Sequence, residues 1–351
     1  MTRRRPTNRS QQSLRRPAPE RYAVRRLAFD SDGTTCRGTL YLPERPGEPP
    51  AIVMAPGFGA ERSFGLPAVA ERFAEAGYAA FLFDYRHHGD SDGVPRRLVS
   101  PARQLADYGA AIDRVRGLDA VHGGRIAVWG HSLSGGHALA TAAERADVDA
   151  AVALAPFVDG RIFLRTRSPR YLLRATGAGL RDVASGVRGR LRGRLARRLP
   201  GGGSAFPEPE PEPGPKPARK RRRAPRRRRV PIVGEADRIA AVTGPGAKRA
   251  YLDLVDRDSD WENDTPARAL LDLVRYRPVE RFDAIRAETF VLVPAGDRIV
   301  PPDRTTAAID RIDGATVVRA PGDHFGSLGE DFEEATGYQL AFLRRALGDP
   351  R

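Results

Sequence analysis

The sequence predicts an α/β fold, with a mostly parallel central sheet, helices on both faces and an inserted cap. Three observations predict it. Short continuous apolar runs such as AIVMAP (51–56), YAAFLFDY (78–85) and TFVLVPAG (289–296) read as strands buried on both faces. Segments with helical spacing alternate with these runs, the rhythm of a parallel sheet wound with helices. The span 158–288 breaks the rhythm and is too long to be a loop, so it reads as an insert.

The elements follow in order. RYAVRRLAF (21–29) and CRGTLYLP (36–43) alternate partly and flank the turn-prone DSDG, as two strands would. After the 51–56 strand, GLPAVAERFAEA (65–76) has helical spacing and stops at Gly77. The strand at 78–85 is followed by a helix over 100–117, with Ser100 as N-cap and Pro101 in the first turn. RIAVWG (125–130) is a strand, 133–145 a helix, and VDAAVALAPF (148–157) a strand. Beyond the insert come strands at 289–296 and 315–322, with a helix at 303–312 between them and a closing helix at 330–347.

The expected organisation is therefore a basic tail (1–20), a core made of 21–157 and 289–351, and an inserted cap (158–288). Inside the cap, 178–199 has Leu and Val at roughly helical spacing among arginines, and Thr265-Pro266 is expected to cap a helix in ARALLDLVRY. The stretch GGGSAFPEPEPEPGPKPARKRRRAPRRRR (201–229) combines glycines, a Pro-Glu repeat and a run of like charge. Such composition cannot bury enough apolar surface to order itself, so disorder is expected there and in the tail.

The net charge of +15 is uneven. The tail carries +5 and residues 188–229 carry +13, which leaves −3 for the rest of the 351 residues. The basic balance thus belongs to the tail and the insert. No run of about 18 apolar residues occurs, so no membrane span is expected, and the basic N-terminus lacks the apolar stretch of a signal peptide. Cys36 is the single cysteine, which excludes an intrachain disulfide and fits a cytoplasmic location.

The stretch WGHSLSGGHA (129–138) places a serine between a strand and a helix, among glycines. The G-x-S-x-G spacing is broken because Ser134 stands where the second Gly belongs. The strand ends at Gly130, which puts Ser132 at the apex of the turn and Ser134 in the first helical turn. Ser132 is therefore the expected nucleophile and Ser134 a small packing residue. A serine hydroxyl is a poor nucleophile at neutral pH and needs a base, which in turn needs an orienting acid. PAGDRIVPP supplies Asp297 just past one strand, and GDHF supplies His324 just past the next. Asp323 adjoins His324, but neighbouring side chains in an extended loop point apart; Asp303 lies farther from its strand end. Asp297 is favoured over both.

On APGFGAER (55–62), FDYRHHGDSDG (83–93), WGHSLSGG (129–136), PAGDRIVPP (294–302) and GDHF (322–325), the chain resembles the α/β-hydrolase-fold serine hydrolases. The group comprises esterases, acyl hydrolases and prolyl-oligopeptidase-like enzymes, and the resemblance spans roughly 21–160 and 265–347. It implies a Ser132–His324–Asp297 triad cleaving carboxylic esters through an acyl-enzyme, with no metal and no organic cofactor. It also implies an oxyanion hole formed by the backbone N–H groups of Leu133 and Phe58, although Pro56 stands where the family often has His. A Ser at the elbow argues against the branches that use an Asp nucleophile.

The other candidates read more plainly. His131 is expected behind the site or in its wall, and His137 on the helix. His87 and His88, beside Asp90 and Asp92, are expected in a structural turn rather than a metal site. DRDSDWEND (256–264) lacks the Gly and the terminal Glu of a calcium loop, with Trp261 and Ala267 in their places, and reads as a solvated acidic loop. Trp261 is expected to face the acyl pocket or to pack. The partner expected is a small-molecule ester. Peptide cleavage and acyl transfer use the same triad and stay open. Nucleic-acid binding by the Arg-rich insert is the less favoured reading, because no aromatic residue is interleaved with the arginines to stack on bases.

Overall fold

A computed structural model of the chain describes residues 22–198, 228–235 and 239–350. The tail 1–20 lies outside the described residues, as does the segment 201–229 apart from its last two arginines.

Two long strands, β1 (Tyr22–Ser31) and β2 (Thr34–Pro43), pair as an antiparallel hairpin at one edge of the sheet. The next elements wind the sheet: β3 (Ala51–Ala55), α1 (Leu66–Glu75), β4 (Ala79–Asp84), α2 (Pro101–Arg116), β5 (Ile126–His131), α3 (Leu133–Glu144) and β6 (Ala150–Leu154). Every residue of β3, β4, β5 and β6 is buried, which explains why these strands read as unbroken apolar runs.

The inserted cap follows. It comprises α4 (Ile162–Thr166), α5 (Pro169–Arg198), β7 (Arg229–Val230), β8 (Val233–Gly234), β9 (Val242–Thr243), α6 (Ala247–Asp253), β10 (Thr265–Pro266) and α7 (Ala269–Arg275). A 3-10 turn at Pro278–Ala284 returns to the core, where Val279 and Phe282 are buried. The chain then completes the sheet with β11 (Glu288–Pro294), α8 (Pro302–Ile309), β12 (Thr316–Ala320) and α9 (Phe332–Leu347).

The eight strands of this sheet lie in the order β1-β2-β4-β3-β5-β6-β11-β12. Beyond the antiparallel edge of β1, β2 and β4, all neighbours run parallel. Alternate residues of each strand enter opposite cores. Ile126 and Val128 of β5 join Tyr108 and Ile112 of α2, Leu139 of α3 and Ile309 of α8 on one face. Ala127 and Trp129 join Phe73 of α1 and Phe342 of α9 on the other. A third apolar cluster joins the core to the cap through Phe58, Leu133, Ile232, Tyr251 and Leu273.

One local expectation changes. Thr265-Pro266 does not cap a helix: it pairs with Arg229–Val230, and α7 begins at Ala269. The Thr265 hydroxyl donates to the Arg97 carbonyl (2.8 Å), and Asp264 beside it binds Arg229 (2.6 Å) and Arg97 (2.7 Å). These ion pairs stitch the cap to the loop after β4, so tertiary pairing overrides the local Thr-Pro signal. Ser100 is the N-cap of α2, as expected: its backbone is extended and its carbonyl starts the helix, with Pro101 in the first turn, although its side chain makes no cap bond. Among the described residues, no helix is long and apolar enough to cross a membrane.

Candidate active site

β5 delivers Ser132 at the carboxyl edge of the sheet. Its backbone sits at φ 58°, ψ −119°, a conformation rarely tolerated outside glycine. The surroundings hold it there. The Ser132 N–H donates to the Leu154 carbonyl (2.8 Å), and the Ser132 carbonyl accepts from Phe157 (2.9 Å) and Gly136 (3.2 Å). The tight turn also explains the glycine before it. A Cβ on Gly130 would lie 1.9 Å from the Ser134 carbonyl oxygen, a contact no side chain can make.

Ser132 Oγ lies 2.8 Å from His324 Nε2, and His324 Nδ1 lies 2.7 Å from Asp297 Oδ2. Asp297 is set by the turn after β11, and its Oδ1 accepts the backbone N–H groups of Ile299 (2.8 Å) and Val300 (2.9 Å). Burial alone would raise the Asp297 carboxyl. His324 and the two N–H donors outweigh it and hold the carboxyl below its usual value, so it stays an anion facing the imidazole. With Asp297 ionised, Nδ1 carries the proton it donates, and Nε2 is left to accept from Ser132.

The rivals go elsewhere. Asp323 accepts the Phe325 N–H (2.9 Å), and Asp303 pairs with Arg319 (2.9 Å). His131 is buried behind the site, where its Nε2 donates to the His324 carbonyl (2.7 Å). Burial, then repulsion from His324, pushes its pKa down to about 3, so it is a neutral prop for the His324 backbone. His137 lies on α3 and bonds Tyr276 (2.7 Å) and Gln104 (3.3 Å).

Leu133 is the first residue of α3, so its N–H belongs to the first helical turn, whose donors have no intrahelical partner. Phe58 lies in the loop after β3, beside the same pocket as Ser132. That loop is tied down through its carbonyls. Tyr251 of the cap donates its hydroxyl to Phe58 (2.9 Å), and Trp261 of the cap donates its indole N–H to Gly59 (2.8 Å). Ser134 donates to the Pro56 carbonyl and lies 2.8 Å from the Tyr85 hydroxyl. Ser134 is therefore more than a small residue filling a glycine position: it links the elbow to this loop. Trp261 packs against Phe64 and Tyr251 and lies outside the residues lining the Ser132 pocket.

The pocket beside Ser132 is largely apolar. Phe157 and Val300 line it from the core, and Ile162, Val242 and Leu273 from the cap, together with Arg167. Tyr251, Trp261, Ser134 and Arg167 were not singled out for these contacts from sequence, because none sits in a recognisable motif for them.

In the RHHGDSDG loop the carboxylates are engaged by arginines. Asp90 pairs with Arg62, which also binds Asp84 at the end of β4, and Asp92 pairs with Arg37 (2.7 Å). Burial, aided by Arg103, lowers His87 to about 4, and burial lowers His88 to about 3. In the acidic loop, Asp256 accepts the Asp258 N–H (3.1 Å), and Ser259 donates to Glu61 (3.1 Å). Among the described residues, no group of three or more His, Cys, Asp or Glu is placed to hold a metal ion.

Comparison with known proteins agrees with this geometry. A family model described as "Serine aminopeptidase, S33" matches residues 48–196. The quorum-quenching protein AidA of Acinetobacter baumannii is 32% identical over 320 residues, covering 91% of this chain and 94% of AidA. The structure of DcsB in complex with its substrate analogue superposes with TM-score 0.72 at 23% identity, covering 93% of this chain and 99% of that one. The α/β hydrolase GrgF from Penicillium sp. gives TM-score 0.69 at 23% identity, with the same coverage. The chain belongs to the α/β-hydrolase family of serine hydrolases.

Proposed function

We propose that the protein hydrolyses carboxylic esters of small molecules through an acyl-enzyme on Ser132. The observation that carries this is the unbroken chain from Ser132 Oγ through His324 to Asp297, at 2.8 and 2.7 Å, on a strained turn facing an apolar pocket. Ser132 Oγ attacks the ester carbonyl carbon while His324 Nε2 takes its proton, and Asp297 stabilises the imidazolium. The carbonyl oxygen becomes an oxyanion, to which the N–H groups of Phe58 and Leu133 donate. Each such donor contributes roughly 3–4 kcal/mol in related sites. Collapse expels the alcohol, which takes the proton from His324. Water, deprotonated by the same nitrogen, then attacks the acyl-enzyme and releases the acid.

In this reading the cap (158–288) sets the substrate, because it supplies Ile162, Arg167, Val242 and Leu273 to the pocket wall. The test is turnover of p-nitrophenyl acetate and butyrate by the wild type, Ser132→Ala and His324→Ala. The wild type should turn over both esters, and both variants should fall by at least a thousandfold. Equal rates in all three would sink the assignment.

A further inference from the structure

The pocket that Ser132 opens into holds one feature an apolar acyl chain does not need. Arg167, between α4 and α5, lines the same pocket as Ser132 and Leu133. Among the described residues lining it, Arg167 alone carries a charge. Its guanidinium is held in place by two further cap elements. Nη1 donates to the Thr243 hydroxyl on β9. The guanidinium carbon lies 5.4 Å from the centre of the Tyr171 ring on α5, and the Tyr171 hydroxyl donates to the Ala240 carbonyl (2.6 Å). Burial lowers the Arg167 pKa from the usual arginine value, yet an arginine keeps its charge in proteins.

A guanidinium presents five N–H donors in a planar fork, a shape that matches the two oxygens of a carboxylate. The apolar walls strengthen its attraction for an anion and disfavour a second cation. Resting on the ester-hydrolase reading, we infer that Arg167 is a specificity residue that binds a carboxylate carried by the substrate, so that the preferred substrates are esters of monoanionic, carboxylate-bearing molecules. The carboxylate can sit on the acyl side or on the alcohol side of the scissile bond, and the two arms of one experiment separate these.

The acyl arm compares monoethyl succinate, glutarate and adipate with ethyl butanoate, pentanoate and hexanoate, following acid release by pH-stat. The alcohol arm compares 4-acetoxybutanoate with butyl acetate. In at least one arm, the wild type should show kcat/KM for the anionic ester about tenfold or more above its neutral partner. Arg167→Met should lower that anionic-to-neutral ratio about 30-fold, equivalent to about 2 kcal/mol at 1.4 kcal/mol per factor of ten. Arg167→Lys keeps the charge but loses the fork, and should lower the ratio by less. If Arg167→Met fails to fold, the wild-type ratio and the Lys variant carry the test. A wild-type ratio at or below one in both arms overturns the proposal, and so does a ratio that neither variant changes. If the wild type cleaves neither class of ester, the hydrolase reading falls first and takes this assignment with it. Cleavage of the neutral esters alone overturns only the role of Arg167.

Discussion

Acid should unfold this protein well above the pH at which its carboxylates titrate. Besides the catalytic His324, four histidines are buried: His87, His88, His131 and His137. Burial, as the leading cause, lowers His87 to about 4 and the other three to about 3. In the unfolded chain each should titrate near 6.5. Below that value the unfolded state takes up protons that the folded state refuses, so stability falls as pH falls. At pH 5.5 each unfolded histidine is about nine-tenths protonated, worth about 1.4 kcal/mol. Four such groups amount to about 6 kcal/mol, against a total stability of about 5–15 kcal/mol for a typical domain. The assay is equilibrium urea unfolding at pH 7.5, 6.5, 5.5 and 5.0, followed by tryptophan fluorescence; Trp129 is fully buried. The urea midpoint should begin to fall between pH 7.5 and 6.5, by the equivalent of about 1–2 kcal/mol, and fall steeply below that. A midpoint that stays constant down to pH 5.0 would refute the claim that these histidines are held neutral by the fold.

Three further predictions concern the site. Tyr251→Phe removes the hydroxyl that holds the Phe58 carbonyl, so kcat for a p-nitrophenyl ester should fall about tenfold with KM little changed; an equal loss in KM would mean the residue acts through substrate binding. Ser134→Gly restores the commoner elbow spacing but frees the Pro56 carbonyl, and should lower stability by about 1–2 kcal/mol in urea unfolding instead of improving the enzyme. Asp297→Asn should leave the fold intact but cut kcat by about 10⁴-fold, because an amide favours the wrong imidazole tautomer; activity near wild type would hand the role to another acid.

Much of this molecule was legible because its signals are local. Strands buried on both faces must be continuously apolar, so β3, β4, β5 and β11 announced themselves. The elbow was legible because a turn this tight needs Gly130 before Ser132. Chain order then led to Asp297 and His324, each at the end of a readable strand. What stayed hidden depends on contacts distant in sequence. Tyr251 reaches Phe58 across 193 residues, and Trp261 reaches Gly59 across 202. Thr265-Pro266 misled for the same reason: a strand of two residues made by pairing with β7 carries no period of its own. Ser134 looked like a tolerated substitution for glycine, because only the fold brings the Pro56 carbonyl and the Tyr85 hydroxyl to its side chain.

The most direct measurement is labelling with a fluorophosphonate, which phosphonylates a serine only when its hydroxyl is activated. Peptide mapping by mass spectrometry then locates the adduct in wild type, Ser132→Ala and His324→Ala. One adduct per chain on Ser132, lost in both variants, is the predicted result. An adduct on Ser134, or labelling of Ser132 undiminished without His324, would contradict the triad on which the account rests.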